Sequence, residues 1–294
     1  MSNVKAAPTV RAMALQKGID IDALARDLGR TTIGAEDLEQ SAKPAASAPK
    51  GDTSYWQVDH AQYGPVSEEP MSRFAQIASA NLSAANALIP QVTHHDRADV
   101  TAIEALRATL KPEAQTRGVK LTALVFHLKA LARALREFPR FNASLSADGK
   151  TLILKDYVHI GVAVDTAHGL MVPVIRDVDR KGLWQIAAEL SDLASRAQAR
   201  KITPDEMGGA SMSVSNLGGI GGIGFTPIVN PPELAILGIT RTETVTVWDG
   251  DTPRPVPMVP LDLSYDHRVI NGADAARFVS YLSGLIADPR RIMV

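Results

Sequence analysis

Apolar positions recur three or four residues apart along 72–85, 99–117, 122–137, 183–201 and 273–287, a spacing that predicts five long helices with one buried face each. Thr203 with Glu206 forms a capping-box pattern for one more short helix. Short β-branched runs bounded by Gly or Pro lie between them, at 158–164, 170–175, 211–215, 233–239, 244–248 and 256–264, and these read as strands. Helices and strands interleave, so a mixed α/β domain is expected over 55–294. Ahead of it, 8–16 and 21–28 read as short helices, with Ile21, Leu24 and Leu28 at helical spacing. Such a module, 4–40, has a very small core. Residues 41–54 are rich in Ala, Pro, Ser and Lys and hold no large apolar side chain, the pattern of an extended linker. No internal repeat is evident.

With 45% hydrophobic residues in 294, the chain can bury a full core. Lys and Arg total 31 against 32 Asp and Glu, so net charge draws the protein to neither nucleic acid nor an anionic membrane. There is no cysteine, which excludes disulfides, thiolate metal sites and a cysteine nucleophile. Any thiol chemistry must therefore come from substrates. The N-terminus has no apolar signal core and no run approaches the ~18 apolar residues of a membrane span, so a cytoplasmic location is expected.

His267 follows an alternating apolar strand (Val259, Leu261, Leu263) and precedes Asn271-Gly272 and a helix, so it sits where a strand ends and the chain turns. Taken alone, a histidine flanked by Asp266 and Arg268 is more often a surface or structural residue. Gly219, Gly221 and Gly224 match the GxGxxG spacing of a dinucleotide loop, but Pro227, Pro231 and Pro232 block the helix that such a loop must open. These glycines read instead as a loop after a strand. Ser215 and Asn216 begin that loop, where they serve either a ligand or simple turn chemistry. His94, His95 and Asp96 form a cluster, yet neighbours on a strand face opposite ways and would not chelate one ion. His127, among apolar residues of a helix, and His159, in a strand, read as structural. His60 and His168 have no informative context.

DHRVINGADAARF, with SNLGG, FTPIVNPPELAILGI, GLMVPVIRDVDRKGL and the closing DPRR, resembles the catalytic domain of the dihydrolipoamide acyltransferases of 2-oxo acid dehydrogenase complexes. The resemblance extends over most of 69–294 and implies a chloramphenicol acetyltransferase-like fold with catalytic sites between subunits of a trimer. The family's motif of a histidine, four residues on an Asp or Asn, then Gly falls on His267, Asn271 and Gly272. Most members carry Asp where this chain has Asn271, so any orienting role passes to a neutral amide. The oxyanion-stabilising hydroxyl falls on Ser215, and serine there is closer to the acetyl-transferring branch than to the succinyl-transferring one. APTVRAMALQKGIDI and EDLE resemble the peripheral subunit-binding domain of the same proteins, but Thr32 stands where its loop arginine would fall. Arg11 and Arg30 remain as contacts for acidic partner surfaces.

The resemblance implies acyl, most simply acetyl, transfer between a dihydrolipoyl group and coenzyme A, with His267 as general base, Ser215 as oxyanion donor and no metal. No lipoyl-bearing Asp-Lys-Ala sequence is present, so the lipoyl domain is expected from another chain or from a part of the protein beyond this sequence. Implied partners are a 2-oxo acid decarboxylase and/or dihydrolipoamide dehydrogenase through 4–40, a lipoyl domain, and copies of the chain itself in a homotrimer or an assembly of trimers. Two other readings are a non-catalytic scaffold of such a complex and a free-standing CoA-dependent acetyltransferase for a small acceptor.

Overall fold

The computed structural model of the chain describes residues 4–16, 19–41 and 56–293, in two units spanning 1–69 and 70–294. Apart from Ser41, the expected linker at 41–54 lies outside the described residues.

The first unit holds β1 (Lys5–Ala6), α1 (Pro8–Gln16), α2 (Ile21–Asp27), β2 (Thr32–Ile33) and α3 (Ala35–Ser41). Val10, Ala14, Ala25, Ile33 and Leu38 make its small core. Thr32 lies in β2, which runs parallel to β1. Arg30 pairs with Asp37, whose Oδ2 also accepts the Gly34 N–H at 2.8 Å, and Arg11 donates to the Val4 carbonyl. Both expected helices form; α3 escapes the periodicity because Leu38 is its only large apolar side chain.

The second unit runs α4 (Arg73–Leu88), β3 (Gln91–Asp99), α5 (Thr101–Thr116), α6 (Ala123–Glu137), β4 (Ala143–Leu145), β5 (Leu152–Leu154), β6 (Ile160–Val162), β7 (Val164–Thr166), β8 (Gly169–Met171) and β9 (Val174–Ile175). It continues with α7 (Leu183–Gln198), β10 (Met212–Asn216), β11 (Ala235–Ile239), β12 (Glu243–Asp249), β13 (Thr252–Asp266) and α8 (Gly272–Ala287). Thr203 and Glu206 do cap a short helix, a 3-10 turn at Pro204–Glu206, with Glu206 accepting from the Thr203 amide and hydroxyl at 2.9 Å. The expected strand at 170–175 is split into β8 and β9 at Pro173, which has no N–H for a ladder.

The main sheet has the order β12-β13-β11-β10-β6-β9, with β3 also on β13. β10 is parallel to β6 and β11, whereas β13 is antiparallel to β11, β12 and β3. Side chains alternate across each strand. Met212, Val214, Leu237, Leu261, Leu263 and Tyr265 face α5 to α8 and build the main core, where Phe141 of the α6–β4 connection stacks on Phe278 of α8 with ring centroids 4.1 Å apart. The opposite face carries Ser213, Ser215, Gly238, Asp262 and Ser264 and is partly covered by the loop that follows β10. Ala85 and Ile89 near the end of α4 pack there with Val229 and Ile236.

Candidate active site

β13 is central in the sheet up to Asp266, and the chain then turns through 267–269 to enter α8. The His267 amide donates to the Pro90 carbonyl at 3.1 Å, which ties the turn to the start of β3. Its ring is exposed and lies 5.7 Å, centroid to centroid, from that of Tyr265. Asp266 is buried, and its carboxylate takes three hydrogen bonds from the Arg268 guanidinium and one, at 3.0 Å, from the Arg268 amide. This pairing raises the Arg268 pKa further above its ordinary value. Asn271 is the N-cap of α8, with Oδ1 accepting the Asp274 N–H at 2.9 Å. That oxygen is committed to the helix, and among the described residues no hydrogen bond joins Asn271 to His267.

Ser215 is half-buried near the end of β10, in register with Gly238 of β11, which in turn faces Asp262 of β13. His267 lies five positions beyond Asp262, at the other end of the sheet. Two strand spacings across and five residues along put Ser215 and His267 of one chain about 20 Å apart. A serine and a histidine so placed cannot act on one atom unless two copies of the chain come together.

Between β10 and β11 the chain forms no helix. It turns through Gly218 to Ile220 and folds back over the polar face, anchored by the Phe225 N–H on Asp262 Oδ2 (3.1 Å) and the Val229 N–H on Gln91 Oε1 (2.7 Å). The expected glycine loop is thus observed. Gly238 permits the crossing: a Cβ there would meet the Phe225 ring at 2.7 Å.

His94 and His95 sit on β3 and face opposite ways, and among the described residues no group of three His, Cys, Asp or Glu could hold a metal. His95 has a partner that sequence reasoning missed: its Nδ1 lies 2.6 Å from Asp262 Oδ1. His159 accepts the Asp177 N–H on Nδ1 at 2.9 Å. His127 is buried in α6, where desolvation lowers its pKa to about 4. It borders a cavity of about 790 Å³ on the helix side of the sheet, next to Asn216, Thr240, Lys120 and Arg241. No described helix is long and apolar enough to cross a membrane.

The same fold is found in known proteins. The chain is 46% identical over 303 residues to the dihydrolipoyllysine-residue acetyltransferase component of the pyruvate dehydrogenase complex of Pseudomonas aeruginosa, covering 100% of this chain and 55% of that relative. A solved structure of the Azotobacter vinelandii dihydrolipoamide acetyltransferase, studied for the role of a serine, a histidine and an asparagine in its catalytic mechanism, aligns with a TM-score of 0.79 at 52% identity, over 81% of this chain and 98% of that one. The cubic core of a pyruvate dehydrogenase multienzyme complex aligns equally well, with a TM-score of 0.79, 52% identity and the same coverage, 81% and 98%. The chain spans about half the length of the curated relatives it matches. The expected α/β acyltransferase fold is therefore observed, and the pattern of the 2-oxoacid dehydrogenases acyltransferase (catalytic domain) family matches residues 63–294. By that match, and by its identity to those relatives, this chain belongs to that acyltransferase family.

Proposed function

We propose that the protein transfers an acetyl group between a dihydrolipoyl thiol and coenzyme A, as the core of a pyruvate dehydrogenase complex. The observation that carries this reading is the occurrence of Ser215, His267 and Asn271 on the family fold. These are the residue types studied in the Azotobacter enzyme, at the same separations of 52 and 4 residues. Their presence favours an enzyme over a scaffold.

A thiol of pKa about 8.5 is largely protonated at neutral pH, so attack needs a base. The imidazole of His267 takes the thiol proton as the sulfur adds to the thioester carbonyl. The Ser215 hydroxyl donates to the oxyanion of the tetrahedral intermediate. The intermediate then collapses, the old carbon–sulfur bond breaks, and the imidazolium returns its proton to the departing sulfur. Asn271 acts as a positioning residue, because its cap on α8 fixes the path of the chain leaving the His267 turn. The scheme uses substrate thiols only, in keeping with a chain without cysteine.

His267 and Ser215 would come from neighbouring copies in a trimer, the smallest unit of a larger core. The cavity beside Asn216, with Lys120 and Arg241 in its lining, offers apolar walls and positive charge to the phosphate-bearing end of coenzyme A. The module at 4–40 would dock a 2-oxo acid decarboxylase or dihydrolipoamide dehydrogenase, and a lipoyl domain would bring the acyl group. In an assay with acetyl-CoA and dihydrolipoamide, His267→Ala should abolish transfer and Ser215→Ala should slow it about 100-fold. Wild-type protein without transfer, or variants that match it, would sink the proposal.

A further inference from the structure

We propose that the His95–Asp262 pair recognises the amide of the dihydrolipoyl arm and so selects that substrate, an inference that rests on the thioester-exchange reading above. Ser215, Gly238, Asp262 and His95 are successive register partners across β10, β11, β13 and β3 and share one face of the sheet. The Asp262 carboxylate is buried, holds the Phe225 N–H through Oδ2 and lies 2.6 Å from His95 Nδ1 through Oδ1. An ionised carboxylate has no hydrogen to give, so the hydrogen of this bond sits on Nδ1. A neutral imidazole held this way presents Nε2 as an acceptor. The His95 side chain is 56% exposed, so that nitrogen is open to a ligand while the ring stays anchored.

The span fits the arm. Three strand spacings put the Cα atoms of Ser215 and His95 about 14 Å apart. From its reacting sulfur to its amide nitrogen an extended dihydrolipoyl chain covers about nine bonds, or roughly 11 Å. The difference is about the length of one hydrogen bond. An arm with its thioester carbonyl at Ser215 thus lays its amide N–H against His95 Nε2. Between the two ends the Phe225 ring fills the space over Gly238, and the methylenes of the arm would lie along its outer side. The same 14 Å rules out a Ser215–His95–Asp262 catalytic triad, which needs serine and histidine about 3 Å apart.

The test compares kcat/KM for dihydrolipoamide, for dihydrolipoate, which has a carboxylate in place of the amide, and for dithiothreitol, which has no chain. Wild type, His95→Phe, His95→Gln and Asp262→Asn are assayed side by side at one fixed pH. His95→Phe should lower the ratio of dihydrolipoamide to dithiothreitol about tenfold, mainly through KM, and erase the preference for dihydrolipoamide over dihydrolipoate. His95→Gln keeps an acceptor oxygen and should retain part of the preference, while Asp262→Asn should weaken it. Equal losses with all three thiols would mean that the pair merely holds the Phe225 loop, and would overturn the inference while leaving the thioester-exchange reading intact. Wild-type protein inactive with every thiol would overturn that reading, and this inference with it.

Discussion

The chain neighbour of His267, Asp266, is the buried member of an ion pair, and its burial is hard to see in sequence. Beside Arg268, Asp266 looks like half of an ordinary surface pair. It is buried because β13 lies between β3 and β11 at that point, a fact set by residues far away along the chain. Removing the guanidinium would leave a buried carboxylate with one remaining donor, the Arg268 amide. Arg268→Ala should therefore cost about 3 kcal/mol, read as a lower denaturation midpoint, and adding Asp266→Asn should recover much of it. His95 teaches the same lesson. The sequence shows HHD and invites the question of a metal, while the partner that gives His95 a role is 167 residues away. Ser215, His267 and Asn271 were legible because their local strings resemble a family, whereas Asp262 and Asp266 needed the sheet.

Among the elements, α6 shows the clearest link between burial and solution behaviour. Its His127 lies in the core with a pKa held at about 4 by desolvation, against an unfolded value near 6.5. The folded state thus binds fewer protons than the unfolded state between these values. The stability that depends on a neutral His127 is full above about pH 6.5 and is lost as pH falls toward 4, by an amount on the order of 3 kcal/mol. His127→Leu should flatten this acid limb relative to wild type in melting curves from pH 7 to 4. Long helices such as α6 were legible because one face repeats along many turns. β3 was not, because QVTHHDRAD is mostly polar and becomes a strand only through its nine paired positions on β13. The short β4 and β5, three residues each, pair only with one another and leave little pattern to read.

For the whole molecule, the distance of about 20 Å between Ser215 and His267 sets the strongest demand on assembly. A chain carrying His267→Ala and one carrying Ser215→Ala should each be nearly inactive alone. Co-expressed, they should regain about one quarter of wild-type activity, because random mixing places an intact histidine opposite an intact serine at one site in four. No recovery would mean that each site is built within a single chain. An α/β class could be read from composition and period, but the placement of Ser215 and His267 at opposite ends of the sheet could not, since it depends on which strands run parallel. β13 makes that placement rigid. It runs fifteen residues, from the hairpin with β12 through Asp262 to the His267 turn. Along such a strand a residue number is also a direction, so deleting one position between Leu261 and Tyr265 would turn every later side chain to the wrong face. The strand works as a reading frame within the fold: substitutions can accumulate along it, but changes in length are confined to the loops around it.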